Sequence, residues 1–79
     1  MSQEFYLFKK FVEENKLKEN DLIEKEKLFS YLLIETKFSP HTLRSTLYFF
    51  QTLGFIVRQD NNIFIFKKSK FDEFIARGN

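Results

Sequence analysis

Two short stretches in the second half of this 79-residue chain combine basic, hydroxyl and amide side chains with almost no acid. The first holds Ser39, His41, Thr42, Arg44, Ser45 and Tyr48. The second holds Arg58, Gln59, Asn61, Asn62, Lys67 and Lys68, with Lys70 just beyond. A guanidinium can give two parallel hydrogen bonds to guanine O6 and N7, and hydroxyls bond bases or phosphates. Lysines and amides on a protruding loop suit phosphate backbones and shallow grooves. The chemistry these residues offer is recognition of a polyanion.

Catalysis finds little material. There is no cysteine, hence no thiolate nucleophile, disulfide framework or cysteine-type zinc site. His41 is the single histidine and has no second histidine to pair with. A glycine-rich phosphate loop cannot be built from Gly54 and Gly78 alone. The acid pairs Glu13-Glu14 and Glu24/Glu26 lie among lysines, as solvated helix faces do. The expectation is no enzyme, no metal, no cofactor and no small-molecule ligand.

The net charge of +2 conceals an uneven distribution. Residues 1–35 carry −2 and residues 72–79 carry −1. Residues 36–71 carry +5, from Lys37, Arg44, Arg58, Lys67, Lys68 and Lys70 against Asp60 alone. A basic segment inside a nearly neutral chain points to a polyanionic partner. The start Met1-Ser2-Gln3-Glu4-Phe5 lacks the basic region and apolar run of a secretory signal, and no stretch approaches about 18 consecutive apolar residues. A cytoplasmic protein without a membrane span is expected.

The elements that must position these groups follow from apolar spacing. Phe5, Phe8, Phe11 and Val12 recur at threes and fours, predicting a helix over 3–17 with Ser2 as N-cap. Around Leu22-Ile23 two readings stay open: a short strand, or a helix start with Asp21 and Glu24 as a capping box. Leu28, Phe29, Leu32 and Leu33 predict a helix over 25–35. Ser39-Pro40 is a sharp start for a third helix, a hydroxyl cap followed by proline in the first turn, and Gly54 is its stop. At 100° per residue Leu43, Thr46, Leu47 and Phe50 form its buried stripe, opposite His41, Arg44, Ser45, Tyr48 and Thr52. Two β-rich runs, 55–59 and 63–67, flank Asp60-Asn61-Asn62 and predict a hairpin. Ser69 is expected to cap a last helix over 70–77, with Asp72 in the capping box.

This order is α+β, mainly α, in a single domain spanning 1–79. It resembles the winged helix-turn-helix family of DNA-binding domains. The resemblance rests on Phe38-Ser39-Pro40-His41-Thr42-Leu43-Arg44-Ser45-Thr46-Leu47 and on Leu53-Gly54-Phe55-Ile56-Val57. It implies a helix-turn-helix over 25–53, a wing over 55–67, and double-stranded DNA as partner. The third helix would enter the major groove and the wing would lie on the backbone or minor groove. Members of this compactness, without an effector domain, look like transcriptional regulators of viruses, plasmids or small prokaryotic operons. Family members dimerise through terminal helices, and twelve phenylalanines are more than one small core plausibly needs, so a homodimer is expected. Two alternatives are a winged-helix protein-interaction module, suggested by Tyr48 and Phe49, and a non-specific DNA architectural protein. On the leading reading Arg44→Ala costs about 1–3 kcal/mol of duplex binding and relaxes specificity at one base pair, and Lys67→Ala weakens all duplexes alike. Titration against matched and random duplexes measures both.

Overall fold

The computed structural model describes residues 3–77. Within them the apolar spacings become α1 (Gln3–Glu14), β1 (Leu22–Glu24), α2 (Lys25–Thr36), α3 (Pro40–Leu53), β2 (Ile56–Arg58), β3 (Ile63–Phe66) and α4 (Lys68–Ala76). The described residues form an α+β fold, mostly helical, with four helices and one three-stranded antiparallel sheet. Ser2, the expected cap of α1, lies outside the described residues. None of the helices is long and apolar enough to cross a membrane.

α1 stops earlier than its apolar pattern suggests. Lys16 adopts a left-handed φ of 51°, and the Leu17 N–H turns back to the Val12 carbonyl at 3.1 Å. That bond closes the helix in the manner glycine usually serves. The open question at Leu22-Ile23 is answered by a strand. Ile23 is buried between exposed Leu22 and Glu24, and all three pair with β3 in the register Leu22↔Ile65, Ile23↔Phe64 and Glu24↔Ile63. The Asp21/Glu24 capping box does not form. The Asp21 carboxylate accepts from the Lys18 N–H at 2.8 Å, and Glu24 precedes α2 without a side-chain cap.

β3 occupies the centre of the sheet, with order β1-β3-β2. Its Phe64 and Phe66 are buried, and α1 and α4 close over Phe66. Phe8 stacks on Phe50 with ring centroids 4.6 Å apart, and meets Phe66 at 6.1 Å and Phe71 at 5.5 Å. Phe5 packs on Phe71 at 5.6 Å and on Phe74 at 5.0 Å. Aromatic pairs in this range add to the burial of large apolar area. Of the twelve phenylalanines, eight are buried, Phe29, Phe38 and Phe74 are partly buried, and only Phe49 is exposed. The supposed surplus is therefore the interior of one chain, and the terminal helices spend their apolar faces on each other and on the sheet.

α4 also corrects an expectation. It begins at Lys68, so Ser69 lies inside its first turn, and Asp72 pairs with Lys68 at 2.6 Å. The N-terminal donor is satisfied from elsewhere: the Ser69 N–H donates to Glu19 Oε1 at 2.9 Å. A carboxylate there also complements the helix dipole.

α1 and α2 are joined at their polar margin by Lys10, which lies 3.9 Å from both Glu14 and Glu35. Tyr31 donates to Glu14 Oε2 at 3.5 Å. Burial, then the negative charges of Glu14 and Glu35, push the Tyr31 phenol above its usual 10.0. The unfolded chain then releases this proton before the folded one, so the associated stability is present below pH 10 and lost as pH rises beyond it. The unfolding free energy of the wild type should decline relative to Tyr31→Phe above that pH, as denaturant titrations from pH 8 to 11 would show. Phe8→Ala should cost about 3–5 kcal/mol, enough to unfold most of so small a domain. Phe49→Ala should change stability by no more than about 0.5 kcal/mol in the same assay.

Candidate nucleic-acid interface

α3 is fixed at both ends by its own sequence. Ser39 has extended backbone, and its Oγ accepts from the Thr42 N–H at 3.2 Å while lying 3.0 Å from Thr42 Oγ1. Pro40 opens the helix. At the far end Gly54 takes φ 85°, and the Phe55 N–H reaches the Phe50 carbonyl at 3.1 Å. That turn drives Phe55 into the core and hands the chain to β2. The buried stripe is Leu43, Thr46, Leu47 and Phe50, with Thr46 Oγ1 donating to the Thr42 carbonyl at 3.0 Å.

His41, Thr42, Arg44, Ser45, Tyr48 and Phe49 are exposed along the other side, Tyr48 at 71% and Phe49 at 52%. No acidic side chain interrupts α3. The hydroxyls of Ser39 and Thr42 are already engaged with each other at the cap, whereas Ser45 has no hydrogen-bond partner among the described residues. Thr42, Ser45 and Phe49 also line a shallow hollow shared with Glu4 of α1.

The hairpin tip is held by its own acid, Asp60. Asp60 Oδ1 accepts from the Asn62 N–H at 2.7 Å and the Ile63 N–H at 2.9 Å. Its Oδ1 is thus engaged within the loop, and Gln59, Asp60, Asn61 and Asn62 are all exposed at the tip. The tip is tied to α2 by the Lys25 N–H, which donates to the Asn62 carbonyl at 2.8 Å.

Register decides which way Arg58 faces. It is the partner of Phe64, whose side chain is buried on the α3 side of the sheet. Adjacent residues of a strand point to opposite faces, so Arg58 turns toward α3 and Val57 away from it. Arg58 lines a hollow of about 290 Å³ together with Lys25, Arg44, Leu47, Tyr48, Gln51 and Phe64. A second hollow beside it is lined by Lys25, Glu26, Phe29, Arg44 and Asn62. Lys25 and Arg44 belong to both. Among the described residues none of Lys25, Arg44 and Arg58 makes an ion pair.

Two expected members of the hairpin group lie elsewhere. Lys67 stands at the base of the hairpin, its N–H on the Phe55 carbonyl and its Nζ donating to Asn20 Oδ1 at 2.7 Å. Lys68 is the first residue of α4 and is paired with Asp72. Neither lines the groove beside α3. Lys25, which does, was missed by sequence reasoning. Its position depends on Leu22–Glu24 being a strand, which the local sequence left open.

No group of three or more His, Asp or Glu side chains among the described residues could hold a metal ion. No family model, curated protein or solved structure matches the chain. The case for an interface rests on the groove itself: three cations without acidic partners, an acid-free helix, and an amide-rich loop beside it.

Each support of α3 has a measurable share. Ser39→Ala should lower stability by about 1 kcal/mol through loss of the cap. At Gly54 an added Cβ would meet Lys70 Cγ at 3.5 Å, an ordinary contact, so the cost of Gly54→Ala is conformational. A left-handed alanine should cost about 1–2 kcal/mol. Equilibrium unfolding of both variants checks these values.

Proposed function

We propose that the chain is a winged helix-turn-helix protein that binds double-stranded DNA in a sequence-specific manner and acts as a transcriptional regulator. The observation that carries the reading is the acid-free, exposed ridge of α3 bordered by the unpaired cations Lys25, Arg44 and Arg58. The order of elements supports the reading: the hairpin follows α3 directly, and three residues join α2 to α3. α3 supplies the major-groove element, where His41 and Ser45 meet base edges near its N-terminal half. Gln59, Asn61 and Asn62 at the hairpin tip meet the backbone or minor groove. A cytoplasmic location is proposed with this reading.

The reading requires no second copy. Of the terminal residues expected to form a homodimer, Phe5, Phe8, Phe11, Val12 and Phe71 are buried within one chain, and Phe74 and Ile75 are partly buried. A second reading, docking of another protein on α3, is favoured by the exposure of Tyr48 and Phe49.

Fluorescence anisotropy with a pool of random duplexes tests the choice. Binding at low salt that weakens steeply as salt rises is the expected result, because phosphate contacts release counterions. Selection from the pool should then enrich one motif, and Ser45→Ala or His41→Ala should relax preference within it at about 1–3 kcal/mol per lost base contact. No duplex binding at low salt would overturn the proposal. Salt-dependent binding without any enriched motif would leave a non-specific architectural protein in its place.

A further inference from the structure

We infer that Lys25, Arg44 and Arg58 form a seat for one phosphodiester group, and that Arg44 holds the nucleic-acid backbone rather than reading a base. The inference rests on the duplex-binding reading and sharpens it. Three separate elements, the start of α2, the middle of α3 and the end of β2, each deliver one cation to the same hollow. Among the described residues Lys10 pairs with Glu14 and Glu35, Lys68 with Asp72 and Arg77 with Glu73, whereas these three cations, like Lys9, Lys16, Lys18, Lys27, Lys37 and Lys70, pair with no carboxylate. What sets the three apart is that they line one hollow. No acid lines this hollow, and Glu26 lines the adjoining one together with Lys25 and Arg44.

The floor of the hollow adds to the attraction. Leu47 and Phe64 are 3% and 2% exposed, so the cations stand over an apolar base that concentrates their field outward. Lys25 is positioned by its own N–H on the Asn62 carbonyl, and Arg58 by its register opposite Phe64. Both are therefore placed by backbone hydrogen bonds before any ligand arrives.

Helical geometry separates Arg44 from the base-reading crest. At 100° per residue the crest opposite the buried stripe is made by His41, Ser45 and Thr52, with Tyr48 close beside it. Arg44 and Gln51 fall about 80–100° away from that crest, on the flank that faces the hairpin. They are the two α3 flank residues that line the hollow with Arg58. A duplex seated on the crest would bring its backbone, not its base edges, past this flank. Phosphate contacts fix register and carry no sequence information directly.

The test measures binding of the full chain to a selected duplex and to a random duplex across salt concentrations. Lys25→Ala, Arg44→Ala and Arg58→Ala should each reduce the slope of log affinity against log salt by about 0.9. The ratio of selected to random affinity should stay the same. Arg44→Lys should keep the slope, which separates charge from folding. Ser45→Ala should lower the ratio and leave the slope alone. A loss of the ratio in Arg44→Ala with an unchanged slope would overturn the inference. Amide chemical shifts during titration with inorganic phosphate provide the independent arm. Shifts centred on Lys25, Arg44 and Arg58 in a chain that binds no duplex would refute the DNA reading and sustain the phosphate seat. Absence of shifts there, with no duplex binding, would overturn both.

Discussion

The pairing of β3 along both of its edges is the constraint on which the other positions depend. On one side it takes Leu22–Glu24, and on the other Ile56–Arg58. The first pairing brings the start of α2 beside the hairpin tip, where Lys25 and Asn62 share a backbone hydrogen bond. The second directs Arg58 toward α3. Without both ladders, three cations from distant parts of the chain would have no reason to meet. Because side chains alternate along a strand, a slip of one residue in either ladder would send Arg58 or Ile23 to the wrong face.

The aromatic core supports that sheet from the other direction. Phe66 projects from β3 into a ring cluster with Phe8, Phe50, Phe55 and Phe71, supplied by α1, α3, the α3–β2 turn and α4, and Phe64 belongs to the same buried core. A chain of this length buries a small fraction of its surface compared with larger domains, so each large side chain carries more of the stability. This explains the density of phenylalanine without recourse to a second copy. It also explains why α4 can be short: its Phe71 and Phe74 insert between residues already in place, and Glu19 caps it from across the fold.

Electrostatics then sorts the surface. Glu14, Glu35, Asp72 and Glu73 are answered by neighbouring lysines and arginines, Glu19 and Asp21 accept from backbone N–H groups, and Asp60 Oδ1 accepts within its own loop. Three of the cations that remain unpaired, Lys25, Arg44 and Arg58, lie together between α3 and the hairpin. The uneven charge along the chain thus becomes a spatial feature, but a narrower one than the segment total suggests. Lys67 and Lys68 contribute to the sum over residues 36–71 and yet are held by Asn20 and Asp72.

Much of this was legible in the sequence where the governing interactions are local. The limits of α3, its Ser39 cap, its Gly54 stop and its buried stripe all depend on residues within about one turn of each other. The hairpin and the exposure of His41, Arg44, Ser45 and Tyr48 follow from the same short-range rules. Where the partner is far along the chain, the sequence could not decide. Leu22-Ile23 suited a strand or a helix equally until Phe64 and Ile65 were set beside them. Ser69 looked like a cap until Glu19 supplied that bond from the α1–β1 loop. The terminal phenylalanines looked like a surplus until they met one another. By itself the sequence determined which segments are helices and which residues can bond an anion. Tertiary structure alone decided which of those residues stand together, because that depends on strand register and core packing between segments remote in the chain.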